Sequence, residues 1–148
     1  MYGNPSPFSS RAQRGGAAYG RVGVETDVLS AGPHRLVTLL FDGVMESMNL
    51  AIAAIEAGNT PVKNNALCRS VRILDEGLKA ALNLESNQLA VDLRDLYSYM
   101  CMRLTHANLH SDLAAIQECK RLIAPVREAW AAIGQTPSAA DNAAARAA

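Results

Sequence analysis

From residue 33 onward, apolar side chains recur every three to four positions with polar residues between them, the repeat of α-helices that each bury one face. Gly32-Pro33 opens the first helix, because proline is favoured at a first helical position where its missing N–H is not needed. Gly58-Asn59 closes it after Ala57. At about 100° per residue, Leu36, Leu40, Val44, Ala51 and Ile55 form one stripe, and Val37, Phe41, Met45, Met48 and Ile52 widen it to nearly half the circumference. Thr60 as N-cap and Pro61 at the first helical position begin a second helix, with Leu67, Val71, Leu74, Leu78 and Leu82 on one face and an end near Asn83. The third carries Leu89, Leu93, Leu96, Tyr97, Met100, Leu104 and Ala107 inward. The fourth follows Ser111 and turns Leu113, Ile116, Cys119, Ile123, Val126 and Trp130 to the core, with Pro125 expected to kink or interrupt it. Four helices joined by short connections predict an all-α fold, an antiparallel up-down four-helix bundle over residues 33–134.

The ends read differently. Residues 1–18 are rich in Gly, Pro, Ser and Arg and predict a disordered, flexible N-terminal arm, since such a composition buries too little to offset ordering. Residues 19–32 form an apolar strap anchored by Tyr19, Val22 and Val24. Residues 135–148 hold no large apolar anchor and predict a disordered tail.

Composition supports the helical reading. The 148 residues include 26 Ala and 17 Leu against 7 aromatics, a bias toward helix formers and away from strand formers. Lys and Arg number 14 and so do Asp and Glu, so no basic field gathers phosphates and nucleic acid is not an expected partner. No uninterrupted apolar run approaches the roughly 18 residues of a membrane span, and no basic segment leads into an apolar one at the N-terminus; neither insertion nor a cleaved signal is expected. Cys68, Cys101 and Cys119 are odd in number and widely spaced, which fits a reducing compartment and neither a disulfide framework nor zinc.

Chemistry that bundles often carry is missing from the pattern. No Glu is followed three residues later by His, as a di-iron bundle needs, and no haem-attachment or phosphate-loop motif occurs. His106 and His110 have the i, i+4 spacing of a metal-binding helix, but Ala107 stands where a catalytic glutamate would be. No cofactor, no metal and no enzymatic activity are expected. What is left over is apolar surface: the wide stripe on helix 1 reads either as a central helix heavily packed in the core or, together with Tyr99 and Met102 on helix 3, as a groove for a partner helix. On the groove reading, Val37, Phe41, Met45, Met48, Ile52, Tyr99 and Met102 are the expected partner-binding residues. The strap, tethered close to helix 1, is expected to fold back over the empty groove as a displaceable cover.

Leu39-Leu40-Phe41-Asp42-Gly43 after Pro33, Leu96-Tyr97-Ser98-Tyr99-Met100 running on to Arg103-Leu104 and Ala107-Asn108, and Arg127-Glu128-Ala129-Trp130 stand in an order and spacing that resembles the flagellar export chaperone FliS family. The likeness runs from about Tyr19 to Trp130. It departs at Gly32, where the family usually has Ser before the proline, at Pro125, and in the longer N-terminal arm. The resemblance implies a cytoplasmic chaperone that binds the disordered C-terminal segment of flagellin, blocks premature polymerisation, and docks while loaded on the export gate of the flagellar type III secretion system. It is expected to be a monomer or weak dimer when free. The alternative class is a non-enzymatic scaffold or signalling adaptor that self-associates through the same stripes.

Overall fold

The computed structural model describes residues 32–135. The expected arm, the strap anchors Tyr19, Val22 and Val24, and residues 136–148 lie outside the described residues. The chain divides into two compact units, Met1–Leu36 and Val37–Ala148. Of the first only the opening turn of a helix is described, where the Leu36 amide donates to the Gly32 carbonyl at 3.1 Å.

Helix α1 spans Pro33–Ala57. Gly58 ends it at φ +70°, a conformation glycine adopts without a Cβ penalty. The Gly58 and Asn59 amides donate back to the Ile55 and Ala54 carbonyls at 3.1 and 2.8 Å, the paired bonds of a Schellman motif. Asn59 also starts α2, Thr60–Arg72, with its side chain accepting from the Val62 amide. The cap thus falls one residue before the Thr60 expected from sequence, because Asn59 sits just outside the helical backbone and Thr60 is already inside it.

Helix α2 runs straight into a π-helical turn, Ile73–Leu78, in which the Lys79 amide reaches the Leu74 carbonyl five residues back at 2.8 Å. The spacing of the buried positions explains the wider turn. Ser70, Leu74, Leu78 and Leu82 follow in three consecutive steps of four, and each such step drifts about 40° around an ideal α-helix. Underwinding removes that drift, so Ser70, Leu74 and Leu78 are all buried and Leu82 still packs against the core.

Helix α3 covers Gln88–His110, capped by the Asn87 side chain accepting from the Ala90 amide at 3.0 Å. Ser111 at φ +50° turns the chain into α4, Leu113–Gln135, where Asp112 accepts from the Ala115 amide. Pro125 lies inside α4 without interrupting it. Its ring removes one backbone donor, and the Arg121 carbonyl left without a helical partner belongs to an exposed residue, where water can serve it.

The described residues form four α-helices and no strand, an all-α four-helix bundle. Two-residue connections at Gly58-Asn59 and Ser111-Asp112 force antiparallel neighbours. α3 packs between α2 and α4, while α1 closes the ring: Ser47 accepts from Arg69 of α2, and Asp42 accepts twice from Arg127 of α4. Phe41, Val44 and Met48 of α1 meet Leu67, Leu74, Met100, Leu104, Ile116 and Ile123 in one core. Leu93, Leu96 and Trp130 pack on that core only half-buried, and Leu89, expected inward, is 63% exposed.

Helix α1 is long and apolar enough, by length and composition, to cross a bilayer, with a mean hydropathy of 1.4 over its most apolar stretch. A core helix of a folded bundle meets the same length and composition, and Asp42 and Glu46 interrupt the apolar residues of this one. The bundle already takes up Phe41, Val44, Met48 and Ala51 of this helix in its core.

Candidate functional site: an apolar groove at one end of the bundle

Antiparallel packing gathers the start of α1, the end of the π turn, the start of α3 and the end of α4 at one end of the bundle. There the apolar stripes outrun the core. Val37 and Phe41 come from α1, Leu78, Ala81 and Leu82 from the π turn and the residues after it, Leu89, Leu93 and Tyr97 from α3, and Pro125, Val126, Ala129, Trp130 and Ile133 from α4. They line an open cavity of about 400 Å³ with no charged side chain among them. Leu89 and Ile133, 63% and 60% exposed, stand as its lips. Phe41 and Tyr97, each 2% exposed, belong to core and groove at once. Burial pushes the Tyr97 phenol up to about 12, so it stays protonated and the groove carries no charge at neutral pH.

A smaller cleft between α1 and α4 shares Phe41 and Trp130 with this groove and has a polar rim. There Arg127 donates through Nε and Nη2 to Asp42 Oδ1 at 3.1 and 2.8 Å, tying α4 to α1 beside the groove.

The expected partner-binding residues fall in three places. Val37 and Phe41 line the groove. Met45 and Ile52 are half-buried against the core, and Met48 is completely buried within it. Tyr99 and Met102, 38% and 61% exposed, do not line the groove; they lie on an outer face of α3. The groove residues of α3 and α4 escaped the sequence reading, which placed Leu89, Leu93, Val126 and Trp130 in the core. For Leu89, Leu93 and Trp130 the available signal was position, since they sit within the first or last two turns of a helix, where a four-helix core runs out of partners; Val126, in the middle of α4, gave no such signal.

On the α3 face, the Tyr99 hydroxyl donates to Glu118 Oε2 at 2.6 Å and Arg103 Nε donates to Glu118 Oε1 at 2.8 Å. These two bonds hold the Glu118 carboxyl below the usual carboxylate range. The cluster braces α3 against α4 and holds no reacting atom. The His106 and His110 rings meet at a tilt of 47° with centroids 4.5 Å apart, and His106 Nε2 lies 3.2 Å from Asp112 Oδ2. Among the described residues no group of three or more His, Cys, Asp or Glu is placed to hold a metal ion. Cys119 is buried with its thiol pushed up to about 12, and burial also raises Cys101, so neither supplies a thiolate at neutral pH.

Comparison with known proteins gives this geometry a family. The sequence model of the family described as "Flagellar protein FliS" matches residues 15–137. The flagellar secretion chaperone FliS of Salmonella typhimurium is 41% identical over 122 residues, covering 82% of this chain and 90% of the relative. The protein of the same name from Escherichia coli is 38% identical over 120 residues, covering 80% and 88%. That from Bacillus subtilis is 30% identical over 106 residues, covering 72% and 78%. With a family match across most of its length and relatives of this likeness, the chain belongs to the FliS family of flagellar proteins.

Proposed function

We propose that this protein is a cytoplasmic flagellar export chaperone, acting without catalysis, whose groove receives the C-terminal segment of flagellin. The observation that carries the reading is the groove itself: an open, uncharged cavity walled by α1, the π turn, α3 and α4, on a fold whose relatives are named flagellar secretion chaperones. A segment that polymerises through an apolar face must be covered before export, and an amphipathic helix laid into an apolar groove covers it. Leu89 and Ile133 at the lips make the first contact, with Val37, Trp130 and, at the floor, Phe41 behind them. Tyr99 and Met102 offer a second strip to a segment long enough to continue around the bundle. Holding flagellin in this way blocks premature assembly and presents it to the gate of the export apparatus.

Pull-down with full-length flagellin against flagellin lacking its C-terminal segment tests the proposal. Retention of the full-length protein alone is expected; equal retention of both places the interaction elsewhere in flagellin, and retention of neither removes flagellin as the cargo.

A further inference from the structure

Gly43 and Gly77 sit well inside helical segments where nothing about the backbone requires a glycine. Gly43 in the middle of α1 and Gly77 in the π turn both lack the positive φ that sets Gly58 apart. Glycine inside a helix costs about 1 kcal/mol relative to alanine, so its presence at both positions needs another reason. Close approach supplies it. A Cβ on Gly77 would stand 2.9 and 3.2 Å from the two terminal carbons of Leu40 and 3.6 Å from its Cγ. A Cβ on Gly43 would stand 3.1 Å from Ile73 Cδ1. The contacts are reciprocal: α1 inserts Leu40 onto Gly77, and the π turn inserts Ile73 onto Gly43.

The Leu40–Gly77 pair is joined along the chain to the groove. Phe41 follows Leu40, and Leu78 follows Gly77, and both line the cavity. The spacing set at Gly77 is therefore passed by one peptide unit to the groove's α1 and π-turn walls, and the Gly43–Ile73 contact holds the same two elements together farther from it. We infer that Gly43 and Gly77 are positioning residues for the groove: by admitting Ile73 and Leu40 they bring α1 and the π turn to the separation at which Phe41 and Leu78 form its floor. A methyl group at Gly77 pushes the π turn away from Leu40, and the groove opens and loses its fit to an apolar helix. This rests on the reading of the groove as flagellin's docking site, so the test needs one readout that involves no flagellin.

Trp130 provides it, being the single tryptophan of the chain and part of the groove wall. Gly77→Ala in the full-length protein is expected to shift Trp130 emission to the red and to weaken a synthetic peptide of the flagellin C-terminal segment about tenfold, the scale on which one misplaced methyl group acts in a packed contact. Leu40→Ala added to Gly77→Ala makes room for the new methyl, and both readouts are expected to return toward wild type, which a general loss of stability would not produce. Gly43→Ala, facing the slightly longer 3.1 Å contact, is the gentler variant if Gly77→Ala does not fold, with the same direction expected. An unmoved Trp130 emission in folded Gly77→Ala means that Leu40 swings aside, and overturns the inference; so does a change that Leu40→Ala fails to reverse. Emission that moves and recovers while peptide binding stays constant upholds the positioning role and instead sinks the groove as flagellin's site.

Discussion

Single side chains in this bundle divide by where their helix still has a neighbour. Leu104 and Met48 have neighbours on every side and vanish from solvent, whereas Leu89 and Ile133, equally apolar, stay more than half exposed because among the described residues no further element covers them. Glu118 shows how a polar residue is fixed between helices by the Tyr99 hydroxyl and the Arg103 guanidinium. Because those bonds lower its pKa in the folded chain, the stabilisation is fully present above the ordinary glutamate value of about 4.3 and is lost as pH falls through the lower folded value. Thermal melts of wild type and Glu118→Gln across pH 3 to 7 check this: the gap between the midpoints is expected to be constant at neutral pH and to close on acidification.

At the scale of elements, helix ends were written plainly and helix interiors less so. Pro33, Gly58 and Pro61 mark boundaries by fixing φ or permitting a positive one, and the structure begins and ends α1 where they stand. Asn87 does the same for α3 by accepting from the Ala90 amide. Asn87→Ala is expected to lower stability by about 1 kcal/mol in urea denaturation, with little change in the slope of the transition. The π turn was not legible. Steps of four from Ser70 to Leu82 look like ordinary helical spacing, and only their unbroken succession shows that an α-helix would drift off the core. Pro125 misled in the other direction, since a proline on an exposed helical face leaves its unpaired carbonyl to water and the helix continues.

For the whole molecule, the fold class could be read because four amphipathic stretches joined by short connections leave few arrangements. The groove could not, because Leu93, Val126 and Trp130 carry the same residue types as the core, pack on it half-buried, and differ only in also lining the cavity. Sequence reasoning therefore found spare apolar surface and placed it along the flank of α1, where Met48 turns out to be wholly buried. The structure gathers an uncharged cavity at the end of the bundle instead, beside the Asp42–Arg127 pair that ties α1 to α4. We propose this cavity as the place where flagellin's C-terminal segment folds and docks.

The most direct measurement is titration calorimetry of that segment, over a range of temperatures, into wild type and into Leu89→Asp and Ile133→Asp. Both substituted residues are more than half exposed, so the bundle is expected to stay folded. Wild type is expected to bind with a large negative heat-capacity change, on the scale of about 1,000 to 3,000 Å² buried as a disordered segment orders. Each variant, placing a charge on a lip of the groove, is expected to lose most of that binding. Undiminished binding by both folded variants, or a heat-capacity change near zero in the wild type, would contradict the account.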